Sequence, residues 1–147
     1  MAKDFIVTPW EVKGDIDYEK LMEKHRKLGD IIERGKEVKV ETELGTNIRF
    51  EINGRAAFGR DSGLFTKKGS FGNLPTGEIF VAPGEGTTEG VFIVDASFGG
   101  IGKLERPLKV FVENGMVIRV EGHKSEELLR MLDSVGGKSR NIAEFGI

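Results

Sequence analysis

Two glutamates carry the chemistry this sequence suggests. Glu78 closes the run Gly69-Ser70-Phe71-Gly72-Asn73-Leu74-Pro75-Thr76-Gly77-Glu78 and opens the apolar stretch Ile79-Phe80-Val81. Proline fixes φ and glycine permits a tight bend, so the carboxylate would be delivered from a stiff turn at a strand end. Rigid delivery of an oxygen donor is what a divalent metal asks of its ligands; an ordinary solvated turn acid is the other reading of the same residues. Glu144 lies within the apolar segment Asn141-Ile142-Ala143-Glu144-Phe145-Gly146-Ile147. If that segment is buried, the acid must be paired, hydrogen-bonded or metal-bound, because an isolated buried carboxylate is costly. If the terminus frays, the acid is simply solvated.

Other chemistries find less support. The two histidines, His25 and His123, lack HExxH or HxH spacing, and read as a helix-face residue and a loop residue. The absence of cysteine removes thiolate nucleophiles, disulfides and cysteine zinc sites. Ser97, Ser125 and Ser139 sit in no nucleophile elbow. Gly137-Lys138-Ser139 resembles the end of a phosphate-binding loop, but the glycine that the pattern needs five residues earlier is Leu132, and no strand leads into it. Lys138 and Arg140 therefore read as solvated bases after a helix. No residue is a candidate for direct catalysis or for binding an organic cofactor.

The elements that must hold the two acids follow from periodicity. Asp17 is placed to cap a helix carrying Tyr18, Leu21, Met22, His25, Leu28, Ile31 and Ile32 at three- and four-residue spacing and ending at Gly35. A second helix follows Ser125, has Glu126 and Glu127 in a first turn where the helix dipole favours acids, buries Leu128, Leu129, Leu132 and Val135, and stops at Gly136-Gly137. Between the helices the period becomes two. Val38, Val40 and Thr42 turn through Leu44-Gly45-Thr46 into Ile48, Phe50 and Ile52, a hairpin with one wet face. Lys109 to Val112 and Met116 to Glu121 flank Asn114-Gly115, which suits a tight hairpin turn. Ile79-Phe80-Val81 and Val91-Phe92-Ile93-Val94 read as central strands covered on both faces. The glycine-rich passage from Gly54 to Gly90 is long enough to be a functional loop. The expectation is a single α+β domain: a mixed or antiparallel sheet with two β-hairpins and two packing helices.

Composition agrees with one domain. The 147 residues are 38% hydrophobic and 31% charged, which is globular. A formal net charge of -2 implies no broad basic surface for nucleic acid or anionic lipid. No stretch has the length and apolarity of a signal peptide or membrane helix, and cysteine is absent, so a cytoplasmic setting is expected. Abundant Lys and Glu without Cys would suit a thermophile.

Three passages carry a resemblance: Gly35-Lys36-Glu37-Val38-Lys39-Val40 with Leu44-Gly45-Thr46, Lys68-Gly69 through Gly77-Glu78, and Asn141-Ile142-Ala143-Glu144. Through them residues 25–147 resemble the middle of the thermophilic metallo-aminopeptidase family, with the second passage the most specific. The resemblance implies an α/β fold and a site for two divalent metals, zinc, cobalt or manganese, built from two glutamates, later histidines and an aspartate. By motif Glu78 looks like the first glutamate ligand and Glu144 like the second. In the complete family the substrate end is a peptide N-terminus. A ring-cleaving dihydroxypyridine dioxygenase looks similar in fold with different metal chemistry, so the reaction type stays open.

The same resemblance sets limits. Members continue past the second glutamate into histidine-bearing strands, and two acids without imidazole partners hold metal weakly or not at all. The chain is therefore expected to be a fragment of a metal-dependent aminopeptidase-like hydrolase, incomplete at its C-terminus and inactive alone. The alternative is a non-catalytic module that self-associates through open strand edges into a homo-oligomer, or a chimera. Phe5-Ile6-Val7-Thr8-Pro9-Trp10-Glu11-Val12-Lys13-Gly14, with Asp17-Tyr18-Glu19-Lys20-Leu21, resembles the N-terminal segment of archaeal tryptophanyl-tRNA synthetases, without that family's nucleotide motifs. Residues 1–24 are accordingly set apart as a segment that could differ in origin.

Overall fold

The first helix begins where its cap predicts. Asp17 accepts the Lys20 N–H at 3.0 Å, and α1 (Tyr18–Arg34) runs to Gly35, whose N–H donates back to the Ile31 and Ile32 carbonyls. It passes residues 24 and 25 without a break. This computed structural model describes residues 16–60, 63–72 and 75–147, so the Phe5 to Gly14 passage and the pair Asn73-Leu74 lie outside the described residues. The inward stripe of α1 is His25, Gly29 and Ile32, with Leu28 beside them. Ile31, counted in the apolar stripe by its spacing, instead points to solvent at 62% exposure.

Next come β1 (Glu37–Glu41), β2 (Asn47–Glu51), β3 (Phe80–Val81), β4 (Glu89–Val94), β5 (Ser97–Phe98), β6 (Gly102–Lys103), β7 (Leu108–Glu113) and β8 (Met116–Gly122), then α2 (Ser125–Val135) and β9 (Phe145–Gly146). Five strands form the main sheet in the order β1-β2-β4-β7-β8. Its neighbours all pair antiparallel. Both expected hairpins are present. Asn114 at φ 50 and Gly115 at φ 76 supply the two left-handed positions that a two-residue turn needs. The β5–β6 hairpin, which turns through Gly99-Gly100-Ile101, is not among the expected elements.

One expected central strand is corrected. β4 is the middle strand of the sheet, half-buried along most of its length, but β3 stands apart and pairs with β9. Ala82-Pro83 follows at once, and proline ends the ladder because it has no N–H to donate. What the apolar run records is burial, not membership of the main sheet: Ile79 and Val81 are 0% exposed.

The core lies on one face of the sheet. Ile48 and Phe50 are two apart on β2 and so share that face. Ile48 joins the cluster of Leu108, Val110, Val112, Val120 and Leu128 from α2. Phe50 joins the cluster of Ile32 from α1 with Ile52, Ile79 and Val81. Both helices and the β3–β9 ribbon therefore cover the same face, and the opposite face carries exposed Lys39, Arg49, Lys109 and Arg119. On α2, Leu128 is buried and Leu129 and Leu132 are half-buried, whereas Val135, expected in the core, is 79% exposed in the last turn. Arg140 also differs from expectation. Far from being merely solvated, it makes a fork to Asp133, Nε to Oδ1 at 2.8 Å and Nη2 to Oδ2 at 2.9 Å, which ties the chain after α2 back to the helix.

Candidate metal centre

The two glutamates are 66 positions apart in the sequence, and strand register brings their segments together. Phe80 pairs with Gly146 and Val81 with Phe145. The ladder extends one step further, Ile79 N–H to Ile147 O at 3.2 Å and Ile147 N–H to Ile79 O at 2.9 Å. Side chains alternate along a strand, so Ile79, Val81 and Phe145 share the inner face and pack into the core. Phe145 meets Phe50 there at 5.2 Å between ring centroids. The same alternation puts Glu78 and Phe80, with Glu144 and Gly146, on the outer face. Glu78 and Glu144 are both exposed. Glu144 thus sits between two anchored neighbours, Ile142 against one core cluster and Phe145 against the other, on a segment that is neither frayed nor buried at the acid itself.

Glycines shape the surroundings of Glu78. A Cβ built on Gly146 would press on the Glu78 Oε1 and lie 2.9 Å from its Cδ, so the carboxylate rests on the bare backbone of β9. On the other side, Phe58 and Phe80 exchange both backbone hydrogen bonds, at 2.8 and 3.1 Å, and their rings stack at 5.5 Å. Gly59 follows at φ +85, where a Cβ would collide with the Glu78 carbonyl. His25 is buried at 3% exposure. Its Nδ1 stands 3.0 Å from the Gly59 carbonyl; since a carbonyl only accepts, this nitrogen carries the proton. The helix histidine therefore pins the loop that abuts Glu78. Neither Gly59 nor Gly146 carries a chemical signal in the sequence, and only the register shows what they touch.

The loop is held to α1 by charge as well. Arg60 Nη1 lies 2.8 Å from Asp30 Oδ1, and Nη2 lies 2.8 Å from Glu33 Oε2. The hydrogen bond from Arg60 holds the Asp30 carboxyl below its usual range. Beside this pair a cleft of about 840 Å³ opens between α1, at Met22 and Arg26, and the glycine-rich loop, at Phe58, Phe65 and Thr76. Its lining reaches Thr76 and does not include either glutamate. The remaining candidates lie elsewhere. His123 follows β8, partly exposed, and the Ser139 hydroxyl donates to the Gly136 carbonyl at 2.6 Å, closing a turn after α2.

Either glutamate on the outer face of the ribbon offers a carboxylate, a hard oxygen donor that suits divalent ions. Among the described residues no group of three or more His, Cys, Asp or Glu side chains could hold a metal. The residues present fit the oxygen-donor part of a divalent site and not a whole one.

Comparison with known proteins bears on this arrangement. A family profile described as NicX, 2,5-dihydroxypyridine 5,6-dioxygenase, matches residues 15–139. Aminopeptidase T of Thermus aquaticus is 33% identical over 84 residues, 56% of this chain and 21% of that protein. Tryptophan–tRNA ligase of Sulfolobus acidocaldarius is 40% identical over 55 residues, 35% of this chain and 14% of that protein. The corresponding ligase of Pyrobaculum arsenaticum is 68% identical over 22 residues, 15% of this chain and 6% of that protein. Among solved structures, 2,5-dihydroxypyridine dioxygenase from Pseudomonas putida KT2440 superposes with a TM-score of 0.73 at 15% identity, over 89% of this chain and 38% of that one. AmpT from Thermus thermophilus superposes with a TM-score of 0.68 at 25% identity, over 88% of this chain and 33% of that one. The chain thus spans about a fifth of the aminopeptidase T sequence and about a third of each structure.

Proposed function

The chain belongs to the NicX, 2,5-dihydroxypyridine 5,6-dioxygenase, family, and from that premise we propose that it is the part of an aminopeptidase-type metal hydrolase that presents two glutamate ligands, Glu78 and Glu144. The observation that carries the proposal is the β3–β9 register, which sets both acids on one outer face. Hydrolase is favoured over ring cleavage by 33% identity to aminopeptidase T and by 25% identity to AmpT against 15% to the dioxygenase structure.

In this reading the chain's own residues hold and orient. Glu78 follows the bend at Pro75 and is steadied by Gly59 and Gly146; Glu144 is steadied by Ile142 and Phe145. A divalent metal, zinc, cobalt or manganese, would supply Lewis acidity toward a peptide carbonyl when bound. The substrate class is the free N-terminal end of a peptide, and the setting is the cytoplasm, supported by the lack of cysteine. No helix among the described residues is long and apolar enough to cross a membrane. With two carboxylates and no third ligand among the described residues, the chain binds metal weakly and does not turn over substrate.

Isothermal titration of zinc, cobalt and manganese tests this. The chain should bind with an affinity that disappears in the Glu78→Ala, Glu144→Ala double variant. Equal heats from both proteins would remove the site, and chelator-sensitive release of leucine from a leucyl anilide would overturn the inactivity. A second reading, self-association, is favoured by the outer edge of β1, which among the described residues pairs only with β2, and by Phe71 at 89% exposure.

A further inference from the structure

We infer that Gly146 is a positioning residue for the Glu78 carboxylate; the inference rests on the reading of Glu78 as a metal ligand. The carboxylate lies across β9 at the one position of the strand where no side chain stands. A Cβ at Gly146 would press on Oε1 and come within 2.9 Å of Cδ and 3.3 Å of Cγ, and the three nearest atoms it would meet all belong to Glu78. Backbone conformation does not select glycine there. The backbone of Gly146 lies outside the left-handed region, it pairs with Phe80 as any residue could, and it is exposed. A methyl group there would displace first the Glu78 carboxylate, the far end of a flexible side chain.

That separates two glycines with different roles. Gly59, at φ +85 and against the Glu78 carbonyl, holds the backbone of the ligand segment. Gly146 leaves the fold alone and fixes where the carboxylate lies relative to Glu144, two residues away on the same face. A metal tolerates displacement of a ligand by only about 0.2 Å. To restore ordinary contact with a new methyl group, Oε1 must move by roughly 1 Å, since real Cβ contacts closer than 3.0 Å essentially do not occur.

The test is a Mn²⁺ titration of the whole chain and its Gly146→Ala variant, with thermal unfolding of both and the ¹³C resonance of the Glu78 carboxylate recorded at one fixed pH. The variant should unfold at nearly the parent temperature, shift the Glu78 carboxylate resonance, and bind Mn²⁺ about 10- to 100-fold more weakly, the range seen when a ligand's support is lost. Glu78→Asp in the Gly146→Ala background, one methylene shorter and clear of the methyl, should recover part of that loss. Unchanged affinity with an unmoved resonance overturns the role of Gly146 while leaving the metal site standing. If the parent binds no more Mn²⁺ than Glu78→Ala, Glu144→Ala, the metal reading falls, and the resonance alone decides whether Gly146 places the carboxylate. If Gly146→Ala does not fold, removing the acid in Gly146→Ala, Glu78→Ala should restore folding; failure to do so means that the backbone needs glycine and overturns the inference.

Discussion

Gly59→Ala should be far more damaging than its small size suggests, and the structure contains its own control. Gly59 and Gly69 both sit at φ +85. Forcing alanine into a left-handed conformation costs about 1–2 kcal/mol at either site, offset by about 0.4–1 kcal/mol from the stiffer unfolded chain. At Gly69 nothing lies within 4 Å of the new methyl group, so that small difference is the whole effect. At Gly59 the methyl group runs into the Glu78 carbonyl and lies 3.2 Å from the Ile79 Cα, both backbone, which cannot rotate aside. Relief requires parting Phe58 from Phe80. The two hydrogen bonds between them, at 2.8 and 3.1 Å, contribute about 0.5–1.5 kcal/mol each, and the stacked rings about 0.5–1.5 kcal/mol more. A net loss of about 2–4 kcal/mol is expected for Gly59→Ala and about 1 kcal/mol or less for Gly69→Ala. Urea titrations of both variants read these values directly; for a chain of this length the larger loss corresponds to a melting temperature lower by about 5–15 °C. Equal losses at the two glycines would refute the reasoning, because they share φ and differ only in what the methyl group meets.

The remaining predictions concern charge and association. Asp30 has its pKa lowered from 3.8 by the Arg60 hydrogen bond. A group depressed in the folded state adds stability above its unfolded pKa and loses it as pH falls through the folded value, so the stability gap between the parent chain and Asp30→Asn should close on acidification below about pH 4. The gap is small, since Asp30 is 61% exposed; a gap that stays constant with pH in thermal melts would show that the ion pair does not hold the loop. For self-association, light scattering at increasing concentration should show a species larger than 16.2 kDa, and a strict monomer throughout would eliminate that reading.

The parts of the fold that were legible are those whose physics is local. Asp17 caps α1 through a side chain three residues from its donor. Asn114 and Gly115 form their turn because these residue types tolerate positive φ. The wet face of β1 and β2 follows from strict alternation. Where the sequence misled, a longer-range fact decided. Val135 keeps the helical spacing of Leu128 but falls in the last turn of α2, beyond the reach of the core. Arg140 carries no local cue for Asp133, because the six residues between them leave the helix and bend back through the turn at Gly136.

The candidate site shows the same division more sharply. Pro75 and Gly77 suggest a stiff turn before Glu78, and the chain there is a bend at Pro75 followed by irregular backbone; whether the Glu78 carboxylate shares a face with Glu144 depends on parity. In a two-residue ladder a slip of one position would turn Glu144 inward and Phe145 outward. The slip is opposed by what it would expose: Phe145 would leave Phe50 and the cluster around Ile79 and Val81, both 0% exposed. Burial of apolar side chains on the inner face, at about 25 cal/mol per Å², thus fixes the position of polar ligands on the outer one. The core residues Ile79, Val81 and Phe145, which could hold no metal, are what turn Glu78 and Glu144 to one face.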